Sequence, residues 1–304
     1  MKSSLAVLFA FSIVTIAICQ AAAVRLSWTG QGLPGDVRYG VHSIIPGESG
    51  SSETFPQSLL SSSMEVHDGS IYSIDEDFTN RVSRVYRTDL QSGSRTKLYE
   101  INHATSAGEF AVTDNYIYVS DSFYDTIWRT DLNGGNLETV YSLTPLTAPS
   151  PVYLAANEQQ LFWTQLDVNS NGRGSIWSLN QSNPATPTLL LGGLNQPRHI
   201  SVNSSSLFWF DNIDHKIYSM NQDGTNRQTL VSSVGTQGMA VDDDSLYWSE
   251  NARIMRYDLS NGQIETFLNL QGDVYKVFLD QIPEPGTWLL AAAGAGLMVL
   301  RRRR

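Results

Sequence analysis

The chain has 304 residues, 41% of them hydrophobic and 16% charged, with 20 Lys and Arg against 30 Asp and Glu, a net charge of −10. The acidic balance sets it against nucleic acid and anionic membrane surfaces. A single cysteine, Cys19, excludes a disulfide framework, so the core has to hold itself together.

In chain order, Lys2 gives a short positive region, Leu5–Ile18 an apolar one, and Ala21-Ala22-Ala23 a small-residue cleavage site. Together these read as a secretory signal peptide over residues 1–23. Ile18 stands before Cys19, where lipoprotein processing requires a small side chain, so cleavage after Ala23 is expected and removes the only thiol. Without Lys2 and the four terminal arginines, 15 basic side chains face 30 acidic ones, a net of about −15.

From residue 60 to 280 one pattern recurs five times. An aliphatic-aromatic strand opens each copy: Ile71–Asp75, Ile117–Asp121, Leu161–Gln165, Leu207–Asp211 and Leu246–Glu250. The aromatics Tyr72, Tyr118, Phe162, Phe208 and Tyr247 follow one another at steps of 46, 44, 46 and 39 residues. A second strand follows in each copy (Val85-Tyr86, Ile127-Trp128, Ile176-Trp177, Ile217-Tyr218, Ile254-Met255), then a turn such as Asn133-Gly134-Gly135, Asp223-Gly224 or Asn261-Gly262. Such turns tolerate the positive φ that tight hairpins need. A further strand comes after the turn, as at Arg227–Val231 and Gln263–Leu268. Upstream segments Glu109–Thr113, Pro151–Ala155, His199–Asn203 and Met239–Asp242 supply a fourth. Four short antiparallel strands per ~44 residues is the period of a propeller blade, and β-branched and aromatic enrichment favours strands over helices.

Val274–Asp280 reads as the innermost strand of a sixth blade whose remainder stands at the other end of the chain. Leu26–Gly30 matches Leu161–Gln165 in phase, and Val37–Ile44 and Glu53–Leu59 serve as outer strands. Pairing the two ends in one blade closes the ring and removes an open edge. The expected fold is all-β, a six-bladed β-propeller over residues 24–280 closed by its N- and C-terminal strands.

The strands Leu161–Gln165, Phe208–Asp211 and Tyr247–Glu250, with the turn Asp223-Gly224-Thr225-Asn226-Arg227, resemble the YWTD repeats of low-density-lipoprotein-receptor-type propellers. That resemblance implies six blades and assigns the motif residues to bracing between blades. No copy is a perfect Tyr-Trp-Thr-Asp, and Ile71–Asp75 has no tryptophan.

No catalytic residue or cofactor is expected. His42, His67, His103, His199 and His215 are spread along the repeats without metal-ligand spacing, and nucleophile and phosphate-loop motifs are absent. His199 is the histidine of most interest, because it opens an innermost strand. Asp167-Val168-Asn169-Ser170-Asn171-Gly172 matches the first half of a calcium loop, with Asp167, Asn169 and Asn171 as oxygen ligands. The twelfth position is Ser178 rather than a bidentate Glu, so a plain hairpin tip is expected, with calcium as the alternative. Asp75, Asp121, Asp211 and Glu250 occupy equivalent positions, which points to a repeated hydrogen bond between blades. An active site needs unlike groups.

The chain closes on Pro283-Glu284-Pro285, an apolar run Trp288–Leu300 and Arg301, Arg302, Arg303 and Arg304. Thirteen residues of helix reach ~20 Å, short of the ~30 Å hydrocarbon core, and the arginines would stay on the cytoplasmic side. Residues 281–304 resemble the PEP-CTERM tail of bacterial surface proteins. The resemblance implies a short transmembrane sorting helix, a transient inner-membrane anchor and processing by an exosortase near Pro283-Glu284-Pro285. The chain then reaches the cell surface or extracellular matrix. The expected role is a non-enzymatic scaffold for a polysaccharide or protein ligand. The alternative is a lyase or lactonase-like hydrolase with a metal in the propeller channel.

Overall fold

The aliphatic-aromatic strand of each copy carries a continuous apolar run, such as Leu161-Phe162-Trp163 or Leu207-Phe208-Trp209-Phe210, and since successive side chains of a strand point to opposite faces, such a run is buried on both. The computed structural model describes residues 23–31, 39–44, 53–55, 63–77, 79–90, 92–102, 107–121, 124–142, 150–167, 173–184, 186–232 and 234–282. Among these every regular element is a strand, and Val24–Pro283 forms one compact unit. The signal peptide up to Ala22, the Pro-Glu-Pro motif, the apolar run behind it and the terminal arginines lie outside the described residues.

The strands are β1 (Ala23–Gln31), β2 (Tyr39–Ile44) and β3 (Glu53–Phe55), followed by five consecutive four-stranded blades. Blade I is β4 (Met64–His67), β5 (Ser70–Asp77), β6 (Val82–Asp89) and β7 (Arg95–Asn102). Blade II is β8 (Ala107–Val112), β9 (Tyr116–Asp121), β10 (Thr126–Asp131) and β11 (Glu138–Ser142). Blade III is β12 (Ser150–Ala156), β13 (Gln160–Asp167), β14 (Arg173–Asn180) and β15 (Thr188–Leu194). Blade IV is β16 (Pro197–Val202), β17 (Ser206–Asp211), β18 (Lys216–Asn221) and β19 (Gln228–Ser232). Blade V is β20 (Met239–Val241), β21 (Ser245–Ser249), β22 (Arg253–Asp258) and β23 (Ile264–Asn269). The last strand, β24 (Val274–Ile282), pairs with β1 in a sheet of order β24-β1-β2-β3, so the two ends of the chain share the sixth, closing blade. The innermost strands touch in the sequence β4, β8, β12, β16, β20, β24 and back to β4, which completes the ring.

Each blade is apolar on both faces, and the core lies in the seams between blades. Among the described residues six apolar clusters fill six seams. One joins Phe162 and Ile176 of blade III to Leu207, Trp209 and Tyr218 of blade IV, and another joins Tyr247 and Ile254 of blade V to Leu26 and Trp28 of the closing blade. Trp28, Trp163, Trp209 and Trp248 are all fully buried. A buried indole removes roughly 200 Å² from water, worth about 5 kcal/mol each as an upper bound. In blade II the bulk changes strand: Val119 stands where blades III, IV and V carry Trp163, Trp209 and Trp248, and Trp128 is its partner across the ladder.

The third hairpins reach back onto the preceding blade. Gly134 and Gly224 have φ of +82° and +86°. A Cβ there would stand 2.4 Å from the Leu98 carbonyl oxygen or 3.0 Å from that of Leu190. Only glycine meets both the turn and the approach.

The repeated acids do not share one role. Asp211 is fully buried and accepts from the backbone N–H groups of Asn195 and Gln196, which lead in from blade III, and of Ile213 and Asp214 in its own turn. Asp121 is equally buried and accepts from Tyr124 N. Asp75 departs from the expected bond between blades. Arg95 on β7 lies across the same sheet and holds it in an exposed ion pair at 2.8 Å.

Candidate functional site at the propeller axis

The innermost strands carry a recurrent irregularity. Ala107 pairs with Asp121 and Phe110 with Val119; Pro151 pairs with Gln165 and Leu154 with Trp163; Arg198 pairs with Phe210 and Ser201 with Phe208. The innermost strands of blades II, III and IV therefore each spend one extra residue, a bulge of the kind that re-aims side chains, whereas those of blades I and V pair without a shift. Hydroxyls on the second strands take up backbone N–H groups at these bulges: Ser120 Oγ accepts from Glu109 N at 3.0 Å and Thr164 Oγ1 from Tyr153 N at 3.3 Å. Ser120 Oγ also donates to Val152 O of the next blade. In blade IV the bulge puts His199 at φ +48°, an uncommon conformation for a bulky residue.

The bulges line a central cavity of about 210 Å³ walled by all six innermost strands. By register Glu109, Tyr153 and His199 are equivalent positions. Glu65 aligns with Ala111, Ala155, Ser201 and Ala240, each opposite the aromatic of its second strand. Equivalent positions filled by unlike groups are the reverse of the repeated-acid pattern, and they give the channel a chemistry of its own.

Lys276, on β24, donates to the Glu109 carboxylate and to Met64 O. Burial pushes the Glu65 carboxyl up to about 7; Lys276 pulls it down, and Glu109 and Asp280 push it further up. The surface that Glu65 keeps faces the lumen rather than bulk water. Burial, and then the charges of Lys276 and Arg198, lower His199 to about 3, so its imidazole is neutral. Its ring lies 4.8 Å from Tyr153 and stacks on Phe210 at 6.3 Å. Burial raises the Tyr153 phenol above its ordinary range. At neutral pH the channel thus holds one ion pair, one carboxyl near its titration point, a neutral imidazole and a neutral phenol, able to exchange hydrogen bonds with a small polar guest.

His199 is therefore an axial residue, packed between rings. His42 is buried against Trp28, and His67 lies 3.1 Å from Asp114. His103 lies outside the described residues. Asp167 ends β13 opposite Arg173, and Asn169 and Asn171 fall in the undescribed tip between them. Among the described residues no three His, Cys, Asp or Glu side chains are placed to hold a metal ion. Glu65, Glu109, Tyr153 and Lys276 escaped sequence reasoning. The signal that finds them is variation at a repeat-equivalent position of the innermost strands.

The class defined by this architecture is the six-bladed β-propeller. Residues 281–304 match the PEP-CTERM protein-sorting motif. The chain is therefore addressed for export, a transient membrane anchor and exosortase processing before surface display. No curated protein matches it. Among solved structures, one chain of the crystal structure of a nidogen/laminin complex is similar over 84% of this chain and 98% of its own, with a TM-score of 0.62 at 15% identity. At that identity the likeness is one of fold. Since 896 chains of known structure match, fold alone selects no activity.

Proposed function

We propose that the chain is a non-enzymatic binding protein of the cell surface or extracellular matrix, with the propeller presenting a site for polysaccharide or protein. The observation that carries this is how the reactive groups at the axis are engaged. Lys276 is spent on Glu109 and Met64 O, and His199 is neutral between two rings, an arrangement suited to shape and hydrogen bonding rather than turnover. The structurally similar chain belongs to a complex with another protein, which keeps a protein ligand beside a polysaccharide one.

The test is co-sedimentation of the processed protein with exopolysaccharide extracted from its host, with and without EDTA. Saturable binding is expected. Loss in EDTA would bring calcium at Asp167 back into play. Absence of binding in both conditions would turn the proposal toward a protein partner.

A second reading, a lyase or lactonase-like hydrolase, draws on one observation. Glu65 and Glu109 face the same lumen in different environments, as acid and base partners do. Its metal-dependent form has no ligand set among the described residues. Turnover of a lactone panel, lost in Glu65→Gln, would establish it.

A further inference from the structure

A second hollow, of about 350 Å³, lies where blades IV and V meet the closing blade. Its wall comes from the turn after β17 (Asn212, His215), the turn after β21 (Asn251), the link from β19 to β20 (Gln237) and the link from β23 to β24 (Asp273). In an antiparallel blade the second hairpin and the link between blades fall at the same end, so all of these belong to one face. The axial cavity is smaller than the ~300–1,000 Å³ of ordinary small-molecule sites, and this pocket falls within that range.

Its chemistry is uniform. Phe210 is buried in the wall, and the buried hydroxyls of Thr236 and Ser249 lie 3.3 Å apart, held by Gly238 O and Gln237 N. The Asn212 amide is fixed by Gln196 Oε1 at 2.6 Å. No hydrogen bond within the described residues engages the side chains of His215, Gln237, Asn251 or Asp273, so their amide, imidazole and carboxylate groups are open to a guest. Among the described residues no Lys or Arg lines the pocket, and its single charge is Asp273. An anion would be repelled, and an apolar guest would strip water from five polar side chains without return. Two large apolar side chains stand exposed close by in sequence: Tyr275, two residues after Asp273, and Ile213, between Asn212 and His215. Among the described residues the other exposed large apolar side chains, Leu137, Leu189 and Ile264, lie at or beside outermost strands.

We infer that this pocket binds a neutral, hydroxyl-rich saccharide. Planar amide and carboxylate groups take its vicinal hydroxyls, and Tyr275 offers a ring to the apolar face of a sugar. The inference rests on the surface-binding reading above and narrows it to one ligand class and one face.

Gly235 lines the pocket, and a Cβ there meets nothing within 4 Å, so a larger side chain is admitted at the pocket wall. The experiment uses the full chain expressed in its host and recovered after processing. It measures binding to the host's extracted exopolysaccharide, with dextran and alginate as neutral and anionic competitors. Gly235→Tyr, Asn251→Ala and Tyr275→Ala are expected to weaken binding at least tenfold, while Gly235→Ala and Asp243→Asn, the latter on the opposite face, bind as the unaltered chain. Asn251 and Tyr275 are exposed, so their variants report even if Gly235→Tyr folds poorly. Dextran is expected to compete and alginate to fail. Undiminished binding in all three pocket variants overturns the site and leaves the surface-binding reading standing. Competition by alginate alone overturns the neutral class, and no binding by the unaltered chain overturns the saccharide site and leaves a protein as the ligand of the surface-binding reading.

Discussion

The ammonium of Lys276 is held by the carboxylate of Glu109, 167 residues earlier in the chain, and by the carbonyl of Met64 at 2.8 Å. One side chain thus links β24, β4 and β8, three consecutive innermost strands, across the seam where the ring closes. Lys276→Met keeps the stem and removes the charge, leaving Glu109 unpaired and Glu65 without its one stabilising cation. Both partners retain about a fifth of their surface (20% and 21%). The loss is therefore set below the cost of a fully buried pair, at about 2–3 kcal/mol. Urea unfolding at pH 7.5 measures it. Lys276→Met combined with Glu109→Gln should recover most of the loss; strict additivity would show that the two side chains are not coupled.

Glu65 and His199 give the propeller opposing pH dependences. The Glu65 carboxyl sits at about 7 when folded against 4.5 in the unfolded chain, so between these values the native state holds a proton that the unfolded chain has released. Its contribution is fullest below pH 4.5 and is lost as pH rises through 7, by up to about 3 kcal/mol. His199, at about 3 against 6.5, contributes fully above pH 6.5 and loses that contribution as pH falls toward 3. Glu65→Gln should be more stable than the unaltered chain at pH 8 and lose the decline between pH 5 and 8. His199→Asn, which tolerates the positive φ, should flatten the acid side instead. An unchanged slope in Glu65→Gln would assign that titration to another group.

The ring was legible because its determinants are local and repeated: the aromatic of each second strand, the Asn-Gly and Asp-Gly turns, and the phase match of Leu26–Gly30 with Leu161–Gln165. The axial site was not, since it depends on register. Nothing in Glu65 or Lys276 alone distinguishes a lumen residue from a surface one. Their meaning appears only when Glu65 aligns with Ala111, Ala155, Ser201 and Ala240. The acids at Asp75 and Asp211 show the converse failure. Equivalent positions were given one role, and Arg95, a residue outside the motif, changed it.

That difference is measurable. Asp211→Ala would remove a buried acceptor from four backbone N–H groups at once. Each orphaned donor costs about 1–3 kcal/mol, so a total loss of roughly 4 kcal/mol or more is expected, with Asp211→Asn intermediate. Asp75→Ala removes an exposed pair and should stay within about 1 kcal/mol of the unaltered chain. Equal losses at the two positions would restore a common role for the repeated acid.

Gly238 sets how closely blade V and the closing blade approach at the axis. A Cβ there would lie 2.5 Å from Lys276 Cα and 2.8 Å from Val277 N, backbone atoms that cannot swing aside. Gly238→Ala should therefore force β20 and β24 apart, at a cost of about 2–3 kcal/mol of the kind seen for overpacked cores. Because β24 also carries Lys276, the same displacement should weaken its bond to Glu109. The pH profile of Gly238→Ala should then shift in the direction of Lys276→Met, with Glu65 titrating higher. A stability loss without any change in the pH profile would mean that the two strands part without moving Lys276.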